Sequence, residues 1–284
     1  MLKESGMNVA IEKIGFVGLG HMGGDLARCL SGLPARLTIY DVNAAAMARL
    51  ADRAARAENL SDVGRDADVV GLCVQDDKQV LSCVEPLLLA MKPGSVLMIH
   101  STVKPATIVE IGKRAQERGI ELLDAPVSRT VTEGEGPFVV CMTGGDEATA
   151  ARLRPVLDSY STETLHVGPL GAAMALKICN NLASWCGIMI SLEAVDLAEA
   201  AGVPLDKLLT VMNSNGVLTR PGQAFVALRN QGGEERRALM AVQSGIGEKD
   251  LLLAEGLATD AGTSAKIATF VRSLVRERVS TLIA

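Results

Sequence analysis

The residues best suited to proton transfer lie within one turn of a long apolar segment. Lys177, Asn180 and Asn181 interrupt the run 172–190, which is otherwise rich in apolar residues. In a helix, Lys177 and Asn181 stand at positions i and i+4, with Asn180 beside them at i+3. Polar groups are costly to bury without partners, and a substrate hydroxyl and carboxylate would supply them. The segment therefore predicts a lysine that exchanges a proton with bound substrate. The alternative is a lysine that reaches solvent and asparagines that bond backbone groups.

A glycine-rich turn near the N-terminus is the second candidate site. The pattern G-x-G-x-x-G is formed by Gly18, Leu19, Gly20, His21, Met22 and Gly23. It directly follows a strand-like run and opens a helix-like segment. The first two glycines permit a tight turn and close backbone approach, and the third lets helix and strand pack. The turn therefore predicts a pyrophosphate at a helix N-terminus, as in dinucleotide-binding domains.

An acidic residue stands where the ribose of a dinucleotide would bind. Asp41 ends the second strand-like run, eighteen residues after Gly23, close to the expected spacing of about 20. A carboxylate there accepts hydrogen bonds from ribose hydroxyls and repels a 2′-phosphate, and Val42 and Asn43 follow it instead of an arginine. We therefore expect NAD, with NADP less favoured. The alternative is that Asp41 only caps a helix that begins near Asn43.

These candidates need an α/β fold to position them. Strand-like runs apolar on both faces alternate with helix-length segments, which predicts parallel βαβ units. The runs are 14–18, 37–40, 69–74, 96–99 and 138–142. An alanine-rich stretch at 43–57 is expected to be surface helix. We therefore predict a Rossmann-type NAD-binding domain over residues 11–170.

The pattern becomes entirely helical after residue 170. One long apolar helix is predicted from Gly171 to about Ala201, before Gly202 and Pro204. The last helix shows the clearest helical spacing of apolar residues, at Ile267, Phe270, Val271, Leu274 and Val275. We predict a helical substrate and oligomerisation domain over 171–284, joined to the first by the long helix.

Composition excludes several classes of function. Of 284 residues, 48% are hydrophobic, 2% aromatic and 21% charged, and the net charge is −5, so no nucleic-acid partner is expected. The longest uncharged stretch, 178–192, contains polar residues and is shorter than the roughly 20 apolar residues of a membrane span. We expect a cytoplasmic protein with no membrane partner and no metal.

Without a CxxC pair, the six cysteines are expected to be mostly buried free thiols: Cys29, Cys73, Cys83, Cys141, Cys179 and Cys186.

Four motifs in one order resemble those of the β-hydroxyacid dehydrogenases, the family of 3-hydroxyisobutyrate dehydrogenase and tartronate semialdehyde reductase. They are the glycine-rich turn at 15–23, Asp-Ala-Pro-Val-Ser at 124–128, the segment 168–171 followed by Lys177 and the two asparagines, and Lys-Asp-Leu at 249–251. The resemblance extends from residue 14 to about 253. It implies an NAD-dependent oxidoreductase that acts on a small β-hydroxy acid.

The resemblance also implies roles for individual residues. Lys177 would be the catalytic acid and base, with Asn181 and Ser128 completing the catalytic set. The substrate would be held by Ser128, Arg129, Thr130, Lys177, Asn180 and Asn181. The cofactor would be held by the glycine-rich turn (Gly18 to Gly23), Asp41, Val74, Thr102 and Lys249.

The second motif departs from the family where the substrate would bind. Arg129 and Thr130 replace the two glycines that usually follow the serine, and Glu133 and Pro137 replace later glycines. The loop's backbone amides are still expected to face the substrate. Arg129 could bind a second anionic group of the substrate. Alternatively it turns outward and pairs with Glu133 or Glu135, the interpretation we favour because loop charges usually face water.

Two other functions remain open from the sequence. One is a dinucleotide-binding sensor or scaffold without turnover, and the other is an imine-reducing relative, a group that usually lacks a lysine at position 177. We also expect a homodimer or homotetramer, because the roughly 80 residues after the long helix cannot cover it on all sides.

Overall fold

A computed structural model describes residues 11–130, 136–229 and 234–283 of the chain. The chain divides into two compact units, Met1–Lys177 and Ile178–Ala284. The division falls inside the long helix, seven residues beyond the expected boundary at 170.

The first unit is built on one mixed β-sheet. Strand order is β3-β2-β1-β4-β5-β6-β8-β7, with β9 beside β8. Neighbours from β3 to β6 are parallel, whereas β8 is antiparallel to β6 and β7 and parallel to β9. The strands are β1 (Lys13–Val17), β2 (Arg36–Tyr40), β3 (Ala55–Arg56), β4 (Val69–Leu72), β5 (Val96–Ile99), β6 (Glu121–Asp124), β7 (Val127–Arg129), β8 (Val139–Gly145) and β9 (Ser161–Gly168).

Both faces of the central parallel strands of this sheet are buried. Alternate residues of one strand enter two different hydrophobic clusters: Val96 and Met98 of β5 belong to one, Leu97 and Ile99 to the other. This is the pattern expected of parallel strands covered by helices on both sides. The helices of this unit are α1 (His21–Leu30), α2 (Ala44–Ala48), α3 (Leu60–Gly64), α4 (Asp77–Ala90), α5 (Pro105–Gln116), α6 (Glu147–Arg152) and α7 (Arg154–Leu157).

The described residues of the second unit form helices joined by short loops. Helix α8 (Ala172–Ala200) begins in the first unit and continues into the second, and it ends before Gly202, whose φ is +75°. It is followed by α9 (Leu205–Ser214), α10 (Arg220–Arg229), α11 (Glu234–Asp260) and α12 (Lys266–Ile283). Trp185 packs edge-on against Phe225 in the core of this unit. The predicted fold, a Rossmann-type unit followed by helices, is confirmed.

Several local predictions were wrong. The stretch 43–57 is not one helix, because α2 covers only Ala44–Ala48 and β3 follows it. The apolar spacing on the last helix mixes two faces: Val271 and Val275 are buried beside Ala268, whereas Ile267 and Phe270 are 66% and 64% exposed. All six cysteines are free, but Cys179 is exposed and only Cys141 is fully buried.

Helix α8 also meets the length and composition test for a membrane span. It is the single helix in the described part of the chain to do so, with 39% of its apolar window buried. Core helices of soluble proteins meet the same test. The expectation that 178–192 is too polar for a span therefore does not hold by composition alone.

Candidate active site

The glycine-rich turn joins β1 to α1 at the centre of the sheet. Gly18 has φ +88°, and a Cβ there would overlap the carbonyl of Cys73. A Cβ on Gly23 would overlap the carbonyl of Gly18, so the third glycine lets α1 pack against the turn. At Gly20, the N-cap of α1, a Cβ would meet no protein atom. The space above Gly20 is therefore open to a ligand.

The start of α1 suits an anion. His21 is exposed, and neither a side-chain cap nor an acidic first-turn residue occupies this helix end. The amides of the first turn can therefore bond the pyrophosphate of a dinucleotide, whose charge the helix dipole also favours. Leu19 is fully buried and Met22 half-buried, so their side chains anchor the turn in the core.

Asp41 is bonded to this turn. Its Oδ2 accepts the N–H of Leu19 at 2.6 Å, and its Oδ1 accepts the N–H of Asn43 at 2.7 Å. Helix α2 is capped by Asn43, whose side chain accepts from the N–H of Ala45. The alternative that Asp41 is merely the cap of α2 is therefore wrong. Each carboxylate oxygen keeps a second lone pair that a ribose hydroxyl can use.

Val74 and Thr102 follow neighbouring strands of the same sheet. The N–H of Val74, just after β4, donates to the Oγ of Ser101 at 2.7 Å. Ser101 and then Thr102 lie just beyond the end of β5. A methyl group of Val74 lies 3.0 Å from where a Cβ on Gly18 would stand. The structure thus places Val74 beside the glycine-rich turn and Thr102 after the carboxyl end of the next strand, at the edge where ligands bind in open α/β sheets.

A buried acid anchors the start of the lysine-bearing helix. Asp124 at the end of β6 is fully buried, and its two oxygens accept the N–H groups of Gly171 at 3.0 Å and Met174 at 2.9 Å. Burial raises the pKa of Asp124, against the lowering effect of these backbone hydrogen bonds. Lys177 is half-buried three residues after Met174. Asp124 therefore fixes the helical turn that leads to Lys177.

A second buried acid holds Asn181. The Nδ2 of Asn181 donates to Oδ2 of Asp250 at 2.7 Å, and the Nζ of Lys249 lies 3.0 Å from Oδ1. Asp250 is 3% exposed, whereas Asn181 is half-buried and Asn180 exposed. Two site residues predicted from the sequence, Asn181 and Lys249, thus meet at one carboxylate.

Asp124 and Asp250 lie in the motifs at 124–128 and 249–251, but the sequence assigns neither of them a role. The available signal was a single carboxylate in an apolar context, as in Leu122-Leu123-Asp124-Ala125. A buried carboxylate requires donors, and that requirement could have identified Asp124 as an organiser of the site. Asp250 follows Glu248 and Lys249, so the sequence around it carries no such signal.

The segment expected to be a substrate loop is partly a strand. Ser128 and Arg129 belong to β7, in register with Val140 and Val139 of β8. The N–H of Thr130 donates to the carbonyl of Phe138 at 2.9 Å. The expectation that the amides of this segment face the substrate is therefore wrong at Thr130, because its N–H already bonds the carbonyl of Phe138, the residue before β8.

Arg129 takes a partner that neither sequence interpretation named. Its guanidinium donates to Asp25 of α1 at 2.6 Å and lies 4.6 Å from the centre of the Phe138 ring. Glu133 and Glu135, the partners expected for an outward Arg129, lie outside the described residues. In the structure Arg129 therefore joins β7 to α1.

His100 is a structural residue of the first unit. It is 3% exposed, its Nδ1 lies 2.7 Å from the carbonyl of Ala125, and its ring stacks on Phe16. Burial lowers the pKa of His100 to about 4. The ring is therefore neutral at physiological pH, and Nδ1 carries the proton that Ala125 accepts.

Within the described residues, no three His, Cys, Asp or Glu side chains are grouped to hold a metal ion.

Comparison with known proteins agrees with this architecture. Residues 13–168 match the family described as the NAD binding domain of 6-phosphogluconate dehydrogenase. An uncharacterized oxidoreductase of Mycobacterium tuberculosis is 32% identical over 254 residues, covering 86% of this chain and 85% of the relative. The NAD-dependent L-serine dehydrogenase of Pseudomonas aeruginosa is 31% identical, covering 71% and 69%.

Solved structures give the same grouping. The 3-hydroxyisobutyrate dehydrogenase of Mycobacterium tuberculosis, determined with L-serine, has a TM-score of 0.81 at 25% identity, covering 95% of this chain and 94% of that one. Imine reductases share the fold alone, at 19–22% identity and TM-scores of 0.61–0.66. The sequence matches and the dinucleotide-binding fold together show that this chain is an oxidoreductase of the β-hydroxyacid dehydrogenase family.

Proposed function

We propose that the protein oxidises the hydroxyl group of a small β-hydroxy acid with NAD and uses Lys177 as the general base. The observation that carries this proposal is the placement of Lys177 and Asn181 one turn apart on α8. Asp124 holds the start of that helix, and Asp250 holds the asparagine. Such support is typical of residues that must keep a defined geometry for catalysis.

The reaction requires one proton acceptor from the protein. Bound NAD supplies the hydride acceptor at its nicotinamide carbon. The neutral amine of Lys177 takes the hydroxyl proton as the C–H bond of the same carbon breaks, which leaves a carbonyl product and a lysine ammonium. In the reverse direction the ammonium returns that proton to the carbonyl oxygen.

We propose that the remaining site residues bind and orient the ligands. Ser128 would bind the substrate carboxylate, with Thr130 and Asn180 beside the substrate and Asn181 next to Lys177. Thr102, Val74 and Lys249 would contact the cofactor. Ser128 is half-buried in β7, which gives its hydroxyl a fixed place from which to donate.

NAD is proposed over NADP because of Asp41. A second negative charge from a 2′-phosphate would face this carboxylate, whose oxygens already bond Leu19 and Asn43. Arg49 is a basic residue at this turn, and its guanidinium donates to the carbonyl of Leu19 at 3.0 Å. Titration with both dinucleotides tests this choice, and tighter binding of NADP would contradict it.

Replacement of Lys177 by alanine tests the assignment of the base. We expect kcat to fall by a factor of about 10² or more while the Kd of NAD changes less than about twofold. Lys207→Ala is a matched control, because Lys207 is a surface lysine of α9, 74% exposed at its side chain. A Lys177→Ala variant that kept most of its turnover would remove Lys177 from the chemistry.

A substrate panel separates this function from the alternatives. Formation of NADH with one or more hydroxy acids supports the dehydrogenase. Binding of NAD without turnover across a broad panel would favour a sensor or scaffold. Reduction of cyclic imines without hydroxy-acid oxidation would favour an imine-reducing enzyme, which the lysine at position 177 argues against.

We also propose that the protein is a cytoplasmic homodimer or homotetramer. Ile267 and Phe270 of α12 and Ile190 and Leu197 of α8 expose about two thirds of their apolar surface in a single chain. Contact between copies would cover such surface. A monomer mass by light scattering at micromolar concentration would contradict this assembly.

A further inference from the structure

Asp250 is a buried carboxylate that accepts two hydrogen bonds, both at Oδ2, and forms an ion pair with Lys249 within the second unit. Its Oδ2 accepts Nδ2 of Asn181 at 2.7 Å and, at 3.5 Å, the indole N–H of Trp185. The Nζ of Lys249 lies 3.0 Å from its Oδ1. These contacts come from α8 and α11, so they connect two helices of one unit.

The chemistry of this contact decides the orientation of the asparagine. An ionised carboxylate only accepts hydrogen bonds, so the Asn181 amide must turn its nitrogen, not its oxygen, toward Asp250. Because Asp250 is buried and Asn181 is half-buried, the amide oxygen is left on the more exposed side. The Nδ2 of Asn180 lies 3.5 Å from that oxygen, which agrees with this orientation.

An outward amide oxygen of Asn181 can accept a hydrogen bond from Lys177. Lys177 precedes Asn181 by one helical turn, a spacing at which side chains can meet. An amine that exchanges one proton with substrate keeps at least two further N–H groups, and an amide oxygen at i+4 can accept one of them. If the amide nitrogen of Asn181 pointed outward instead, its N–H groups would face the N–H groups of the Lys177 amine, and no hydrogen bond would form between them.

We propose that Asp250 is a positioning residue that fixes the Asn181 amide so that its oxygen is presented to Lys177. Asn181 then orients the amine of Lys177 toward the substrate, in addition to any contact it makes with substrate itself. This inference rests on the proposed function of Lys177, but the orientation of the amide can be tested without turnover.

The test uses an exchange of the two side chains. Asp250→Asn removes the carboxylate that selects the amide nitrogen, and we expect kcat to fall by about tenfold or more with KM changed less than about threefold. The double variant Asn181→Asp/Asp250→Asn keeps the net charge, restores an amide–carboxylate hydrogen bond and again presents an oxygen outward. We expect it to recover kcat by about fivefold or more over Asp250→Asn, each measured at its own pH optimum.

Two comparisons keep the test decisive. Asp196→Asn is the matched control, because it also replaces an aspartate by asparagine, at a position on α8. Asp196 forms an ion pair with Arg229, which keeps its second partner, Glu199, in this variant. If Asp250→Asn does not fold, the double variant is compared with Asn181→Asp, in which two carboxylates face each other. A double variant no more active than either single variant would overturn the proposal.

Nuclear magnetic resonance tests the orientation directly. In protein labelled with ¹⁵N at asparagine, the Asn181 side-chain signal is assigned by its loss in Asn181→Asp. We expect Asp250→Asn to shift this signal and Asp196→Asn to leave it in place. An unshifted signal in Asp250→Asn refutes the positioning role, whereas a parent protein that oxidises no hydroxy acid refutes only the proposed function.

Discussion

Replacement of Asp124 by asparagine should separate the support of α8 from cofactor binding. Asp124 is fully buried, and its two oxygens accept the backbone N–H of Gly171, just before α8, and that of Met174 in its first turn. An asparagine of nearly the same shape offers one acceptor and one donor in place of two acceptors. One buried N–H of α8 would therefore face another donor.

The size of the effect follows from these two hydrogen bonds. Loss of one bond to a charged acceptor and the burial of an unsatisfied N–H together cost about 3 kcal/mol. With a urea dependence of about 2–3 kcal/mol per molar for a unit of this size, the unfolding midpoint should fall by about 1 M. The turn that precedes Lys177 would also loosen, and we expect kcat to fall about tenfold.

Urea unfolding followed by circular dichroism, together with NAD titration and steady-state kinetics, measures these effects. Asp146→Asn is the control, since Asp146 is an exposed N-cap of α6 and asparagine caps equally well. The Kd of NAD should change less than about twofold, because Asp124 bonds α8 and not the glycine-rich turn. A midpoint within about 0.2 M of the parent, or a loss of NAD affinity equal to the loss of kcat, would refute the reasoning.

Three further predictions follow from the first unit. Gly20→Ala should leave the unfolding midpoint nearly unchanged, because its Cβ meets no protein atom, but weaken NAD binding by about tenfold, because that Cβ would enter the space expected for the pyrophosphate. Gly23→Ala should destabilise the fold by about 3 kcal/mol, because its Cβ would overlap the carbonyl of Gly18. Equal NAD affinity in Gly20→Ala and the parent would contradict the first part. The pKa of His100 is about 4 in the folded chain and 6.5 in the unfolded chain. Below pH 6.5 only the unfolded chain takes up this proton, so the free energy of unfolding falls by about 3 kcal/mol as pH is lowered from 6.5 toward 4. Urea midpoints of the parent and His100→Phe should therefore converge at low pH, and parallel pH profiles would count against the assignment. Arg129→Gly should lower stability by about 1 kcal/mol, since its ion pair with Asp25 is partly exposed. It should change KM equally for mono- and dianionic hydroxy acids, and a selective rise for the dianion would place Arg129 in the substrate site.

The sequence predicted those parts of the fold whose cause is local. Strands with apolar residues on both faces, such as β4 and β5, were recognised because their whole length is buried. The glycine-rich turn was recognised because its three glycines have separate steric reasons, which the structure reproduces at Gly18, Gly20 and Gly23. The long helix α8 lies within one residue of its predicted ends.

The parts that were missed depend on partners distant in the sequence. Strand β9 is exposed along most of its length, so it has no apolar pattern, and β7 exists because β8 pairs with it. The ion pair of Arg129 with Asp25 joins residues 104 positions apart. The buried face of α12 was misassigned because its apolar residues follow two stripes, and only packing within the second unit decides which one is covered.

The continuity of α8 restricts how such enzymes can be recombined. One uninterrupted helix of 29 residues carries Lys177 at the end of the first unit and Asn181 near the start of the second. Insertion of a single residue between them would rotate the asparagine by about 100° around the helix axis. A chimaera that takes its nucleotide-binding half from one relative and its helical half from another must therefore be joined without a change in helical phase. Junctions outside α8, or within it with no residue gained or lost, are the ones expected to give active hybrids.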